Sequence, residues 1–187
     1  MKVYKALGIV LGRKNIGEAD KLVTIFTKHT GKKVVIAKGI RRIHSRRAAH
    51  LELFTLASFV IHRGRTFDTV SEVNPISSFS LIRQKLIRVS YVCVALELVE
   101  RLLPENQEAR LVFEHLTYFL QLLNQPETRR NQAKQALLEF KQFLLAELGY
   151  IDNAQKLDEA RLDHTIESVL EAALKSPNLL TKVEQGL

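Results

Sequence analysis

The hydrophobic period of this chain changes once, at Asn74-Pro75, and that change narrows the folds open to it. Ahead of it, apolar and β-branched residues fall in short runs separated by turn residues. The runs cover residues 3–12, 22–27 ("LVTIFT"), 33–37 ("KVVIA"), 51–62 and 67–73, the last two joined by an "RGR" turn. The first is expected to end at Arg13-Lys14-Asn15, before Gly17. Five short strands with a long connection between the third and fourth suit a small closed barrel of the OB type. An SH3-like barrel fits the periodicity nearly as well.

Behind Pro75 the spacing becomes helical. One helix is expected over residues 77–103, with Ser77 or Ser78 as N-cap and Pro104 beyond its end. It is apolar nearly all round, which marks a central helix covered on several sides. Others are expected at about 107–123, at about 128–148 with Gly149 as the stop, and at about 162–174 before Pro177. The fold class is therefore α+β: a five-stranded OB-type barrel in residues 1–75 and an all-α helical domain in residues 76–187.

Charge follows the same division. Residues 1–75 hold 15 Lys/Arg against 5 Asp/Glu, a net of +10, while residues 76–187 hold 13 against 15, a net of −2. Between Lys21 and Leu51 there are 9 Lys/Arg and no carboxylate, and "AKGIRRIHSRRAAH" (Ala37 to His50) is the densest part. Such a density repels itself unless an anion neutralises it, which points to a polyanionic partner. Arg predominates in the connection, and guanidinium binds phosphate oxygens bidentately. Tyr4, Phe26, Phe54, Phe59 and Phe67 lie on or beside the strands, where an aromatic ring can stack on a base. A small barrel must also fill its interior, so more of the five are expected in the core.

Catalytic constellations do not emerge. Glu18 and Asp20 have no accompanying His cluster and are expected to form a turn or pair with Arg. The six His lack metal-ligand spacing, and "GRKNIG" lacks the GK[ST] ending of a phosphate loop. The single Cys93, in the most apolar helix, reads as an inert thiol, and one Cys excludes an internal disulfide and a multi-cysteine zinc site. No cofactor and no metal are expected, and the chain is expected not to be an enzyme. No h-region follows Lys2 and Lys5, and no apolar run is long enough to cross a bilayer, so a cytoplasmic, reducing location without membrane association is expected.

"GIVLGRKNIGEADKLVTIFTKHTGK", "VVIAKGIRR" and "LELFTLASFVIHRGR", followed by "ALELVERLL" and "FLLAELGY", resemble the bacterial RecO family of recombination mediators over about residues 3–150. The resemblance implies an N-terminal OB-fold and a helical domain. It also implies binding of single- and double-stranded DNA, strand annealing, and work with RecR and single-strand-binding protein (SSB) to help RecA load, in the bacterial cytoplasm at the nucleoid. Carried onto this chain, Lys33, Lys38, Arg41, Arg42, Arg46 and Arg47 become DNA contacts, and the basic "RGR" turn adds Arg63 and Arg65.

Two departures stand beside the resemblance. Many members carry a four-cysteine zinc module after "LGY"; here Ile151-Asp152-Asn153 leads towards another helix, and the chain is shorter. Where a basic residue often precedes a Phe-Glu pair, Leu138-Glu139-Phe140-Lys141 stands instead, which leaves Arg129, Arg130 and Lys134 as candidates for holding the acidic SSB tail. The alternatives are a non-catalytic RNA-binding OB module and, less favoured, a metal-dependent enzyme.

Overall fold

Alternation along the strands sets one row of side chains against another. Val23 and Ile25, Val35 and Ala37, then Ala57, Phe59 and Ile61 face one interior and are excluded from solvent. Each large aliphatic or aromatic side chain in that interior stabilises the fold by about 1.5–3 kcal/mol. The computed structural model describes residues 3–40, 48–152 and 154–170. The strands are β1 (Val3–Ile16), β2 (Asp20–Thr27), β3 (Gly31–Ala37), β4 (Leu56–His62) and β5 (Asp68–Ser77).

They form a closed barrel in the order β1-β2-β3-β5-β4. All neighbours are antiparallel except β3 and β5, which pair in parallel through Val35↔Asp68 and Ile36↔Thr69. This five-stranded closure is the OB arrangement, which decides between the two barrels that periodicity left open.

Bulges explain where the strands outrun their expected ends. A register shift between Val10 and Gly12 lets β1 continue through Arg13-Lys14-Asn15 to Ile16. Pro75 lies inside β5 rather than ending it, opposite Ala57 and next to the shift between Leu56 and Ala57, where a missing N–H is tolerated. A second shift, between Val60 and Ile61, lets Val70 and Val73, three residues apart, both face the interior. The fourth strand starts at Leu56 instead of residue 51, because a 3-10 turn (Ala48–Leu51) precedes it and Phe54 takes a left-handed φ of 51°.

β5 begins beside Val35, so the first half of β3 keeps an open edge. Glu105 bridges to Lys32 there, and Asn106 N–H donates to the Lys32 carbonyl at 2.9 Å. Gly31 permits this approach: its φ is 70°, and a Cβ would run into the Gln107 backbone. Phe113 meets Phe26 edge-to-face with ring centroids 5.6 Å apart. The chain accordingly divides into two compact units, Met1–Phe79 with Leu103–Phe113, and Ser80–Leu102 with Glu114–Leu187.

The helices are α1 (Ser80–Arg83), α2 (Leu86–Leu102), α3 (Arg110–Leu123), α4 (Arg130–Glu147) and α5 (Glu159–Leu170). The helix expected over 77–103 is thus divided: Ser77 belongs to β5, Phe79 has a left-handed φ of 49°, and α1 stops before Lys85. Asn124 supplies the cap that Ser77 and Ser78 were expected to give, its Oδ1 accepting from Leu81 N–H at 3.0 Å. Most of α2 is buried, with Tyr91, Val92, Val94, Ala95, Leu98 and Val99 fully enclosed, while a stripe through Val89, Cys93, Glu97 and Glu100 is only half-buried. α5 starts three residues earlier than expected, and residues 171–174 of the expected helix lie outside the described residues.

Arg88, on α2, is 3% exposed and faces carbonyls instead of a carboxylate. Its guanidinium donates to Leu123 O (2.9 Å), Gln125 O (2.8 Å), Pro126 O (3.3 Å) and Thr128 O (2.7 Å), the orphan acceptors at the end of α3 and in the turn to α4. Thr128 Oγ1 donates to Leu122 O at 2.6 Å in the same turn. Gln142 anchors the α4–α5 connection with both ends of its amide, donating to Gln155 O at 2.6 Å and accepting from Leu157 N–H at 3.1 Å. Arg88→Met should therefore lower stability to urea by about 3 kcal/mol or more, since several buried acceptors lose a charged donor at once. Asn124→Ala, which removes one cap, should cost about 1 kcal/mol.

Candidate nucleic-acid interface

The basic connection between β3 and β4 is anchored at both ends. Ile40 and Leu51 are each 1% exposed in the barrel core. Asp20 Oδ1 accepts from Gly39 N–H at 2.7 Å, which gives this carboxylate the turn-forming role its sequence context suggested. Glu52, the acid that ends the carboxylate-free stretch, pairs with Arg13. Arg41, Arg42, Arg46 and Arg47, all placed on this connection by the sequence, lie outside the described residues. Lys38 is exposed where the connection leaves β3. Lys33 is half-buried, and its Nζ donates to Asn106 Oδ1 at 2.8 Å.

The turn between β4 and β5 holds Arg63, Gly64, Arg65, Thr66 and Phe67, all exposed. Its geometry rests on Asp68, the first residue of β5. Asp68 Oδ1 accepts from Gly64 N–H at 3.2 Å, and Oδ2 accepts from Tyr4 Oη–H at 2.8 Å. The Arg63 guanidinium stands 5.7 Å from the Tyr4 ring centroid, within cation–π range. A Cβ on Gly64 would run into the Phe67 carbonyl, so the turn closes only around glycine. Burial, then the hydrogen bond to Asp68 and that carboxylate's charge, hold the Tyr4 phenol well above its ordinary range, against a smaller opposing pull from Arg63.

The five aromatics divide sharply. Phe26, Phe54 and Phe59 are at most 2% exposed and belong to the packing. Tyr4 is half-buried with its hydroxyl committed to Asp68. Phe67 is 45% exposed.

In the helical unit, Arg129 and Arg130 stand exposed at the start of α4, beside a cavity of about 270 Å³ that Lys85 also lines. Lys85 escaped the sequence reading because it is remote in the chain and only folding brings it near the two arginines. Lys134, expected with them, is instead paired with Glu159 of α5 at 2.8 Å. Lys141, from the altered Leu-Glu-Phe-Lys sequence, is buried and held by Asp163 at 2.6 Å. A second cavity, about 260 Å³, lies between α3 and α4, where Phe119 stacks near Phe140 and the His115 ring lies 3.4 Å from that of Phe143. Beyond the apolar stripes of the two helices, no local pattern signals this cavity.

Burial first, and Glu97 second, raise the Cys93 thiol above its ordinary value, the opposite of nucleophile activation. Among the described residues no three His, Cys, Asp or Glu side chains are grouped to hold a metal, and no helix is long and apolar enough to cross a membrane.

Residues 1–79 match the family model described as "Recombination protein O N terminal", and residues 83–155 match "Recombination protein O C terminal". The chain is 35% identical over 150 residues to the DNA repair protein RecO of Symbiobacterium thermophilum, covering 80% of this chain and 58% of that one. It is 39% identical over 123 residues to the DNA repair protein RecO of Roseiflexus sp., covering 66% and 43%. The corresponding protein of Pelotomaculum thermopropionicum is 37% identical over 123 residues, covering 66% and 48%. The chain thus spans about half the length of the curated relatives it matches.

The Tyr4–Asp68 bond has a pH signature. A group whose pKa is raised by folding contributes its full stabilisation below its unfolded pKa and loses it as pH climbs towards the folded value. In urea unfolding, the stability difference between wild type and Tyr4→Phe should be constant below about pH 10 and shrink above it.

Proposed function

This chain belongs to the RecO family, and from that premise we propose that it binds single- and double-stranded DNA and promotes annealing of complementary strands in recombinational repair. The observation that carries the reading is the placement of charge: a net of +10 on residues 1–75, with a carboxylate-free connection whose two ends are pinned in the barrel core. With both ends held, the connection gives up less conformational freedom on binding a strand than a segment free at one end would. Lys38, Arg41, Arg42, Arg46 and Arg47 are the proposed phosphate contacts on the connection, with Arg63 and Arg65 on the β4–β5 turn. Lys33 contributes if it exchanges Asn106 for a phosphate.

Two strands repel each other, and a cationic surface that engages both lowers the barrier to their encounter. Annealing on this basis needs no nucleotide hydrolysis, so the protein acts as a non-catalytic mediator in the cytoplasm, at the nucleoid. Its proposed partners are RecR, with which it helps RecA load, and the acidic tail of SSB. DNA contact is assigned to residues 1–75 and partner contact to residues 76–187. For the SSB tail, the exposed Arg129 and Arg130 beside Lys85 support a carboxylate-binding role. Lys134 is the weakest of the three original candidates, because a tail would have to displace Glu159.

Phosphate neutralisation sets the salt dependence of binding. With about five phosphates engaged on single-stranded DNA, log K against log[salt] should slope near −3.5. Replacing Arg41, Arg42, Arg46 and Arg47 by Ala should flatten the slope and weaken all sequences alike, as read by fluorescence anisotropy. A salt-independent wild-type affinity would refute the proposal.

A further inference from the structure

Scattered exposed apolar side chains are ordinary, and Phe67 alone would mean little. Its setting is what distinguishes it. Exposed arginines, Arg63 and Arg65, share its turn, and that turn is fixed by Asp68 through the Gly64 amide and the Tyr4 hydroxyl. Gly64 packs against the Phe67 carbonyl itself, so the backbone bearing the ring has little freedom to fold it away. The turn also opens beside β3, since Asp68, the next residue, is the partner of Val35. In OB barrels the faces of the second and third strands and the loop between the fourth and fifth are where oligonucleotides lie.

We propose that Phe67 is a base-stacking residue, and that with Arg63 and Arg65 it forms a contact specific for unpaired bases of single-stranded DNA. This rests on the DNA-binding reading and deepens it. An exposed aromatic ring on the same turn as two exposed arginines offers a single strand both a stacking face for a base and cations for its phosphates. In a duplex the base faces are covered by their neighbours, so the ring finds no partner there. The arginines then contribute to any strand, whereas Phe67 contributes only where bases are unstacked. Strand discrimination comes from this one side chain, and the β3–β4 connection supplies affinity without it.

The test compares, on the full chain, an oligothymidylate with an abasic oligomer of equal length, so that phosphate number is constant. Wild type should favour the base-bearing oligomer by about tenfold or more. Phe67→Ala should bring the two affinities to within about twofold and leave the salt slope unchanged. Phe67→Trp should preserve the preference. Because the chain has no other Trp, the introduced indole should be quenched by the base-bearing oligomer and not by the abasic one. Equal wild-type affinity for both oligomers, with normal salt dependence, overturns this inference and leaves the DNA-binding reading standing. So does a Phe67→Ala variant that keeps the preference. Failure to bind either oligomer overturns both.

Discussion

One carboxylate stands where the barrel closes. Asp68 opens β5 opposite Val35, in a parallel contact of only two residue pairs, and the same side chain ties the β4–β5 turn to Tyr4 on β1. Closure, turn geometry and the display of Arg63, Arg65 and Phe67 therefore share one group. Its two oxygens serve different elements, so neither the turn nor the closing pair can shift without disturbing the other. With only five acids against 15 Lys/Arg in residues 1–75, the field of this half stays positive even with the Asp68 carboxylate in it.

The helical unit uses the opposite charge for a similar purpose. Arg88 carries its guanidinium into an interior where a lone cation would be costly. The carbonyls at the end of α3 are equally costly to bury unpaired. Each satisfies the other, and the planar fork of the guanidinium reaches four acceptors that a lysine ammonium would not span together. The turn so fixed also carries Asn124, which caps α1. A segment that would otherwise be a loose link between helices becomes the joint on which α1, α2 and α3 agree.

What the sequence revealed was what local pattern determines. Period-2 runs located all five strands, and the apolar run after Pro75 located the central helix. The misses came from interactions between distant residues. Pro75 signals a strand end unless a bulge beside it, where β5 carries the extra residue Ile76, makes its missing N–H harmless. Residues 51–55 read as strand until Phe54 adopts a left-handed conformation that only its tertiary setting maintains. The connection's charge was legible from composition, yet which of five aromatics faced solvent was not, because burial depends on neighbours that the local pattern does not name. Lys85 beside Arg129 and Arg130, and Glu159 claiming Lys134, are likewise contacts between separate helices.

The strap of Glu105 and Asn106 along the lower edge of β3 has a consequence for the order in which the protein is made. The barrel unit is discontinuous in the chain: its five strands precede Ser80–Leu102, and its last piece, Leu103–Phe113, follows. As the chain leaves the ribosome, all five strands can pair while the edge at Gly31–Lys33 still presents unpaired backbone groups and Phe26 still lacks Phe113. For that interval the nascent barrel carries a short sticky edge of the kind that recruits foreign strands. Vectorial synthesis thus opens an interval, after β5 has emerged and before Leu103–Phe113 follows it, in which the barrel is closed but not yet sealed.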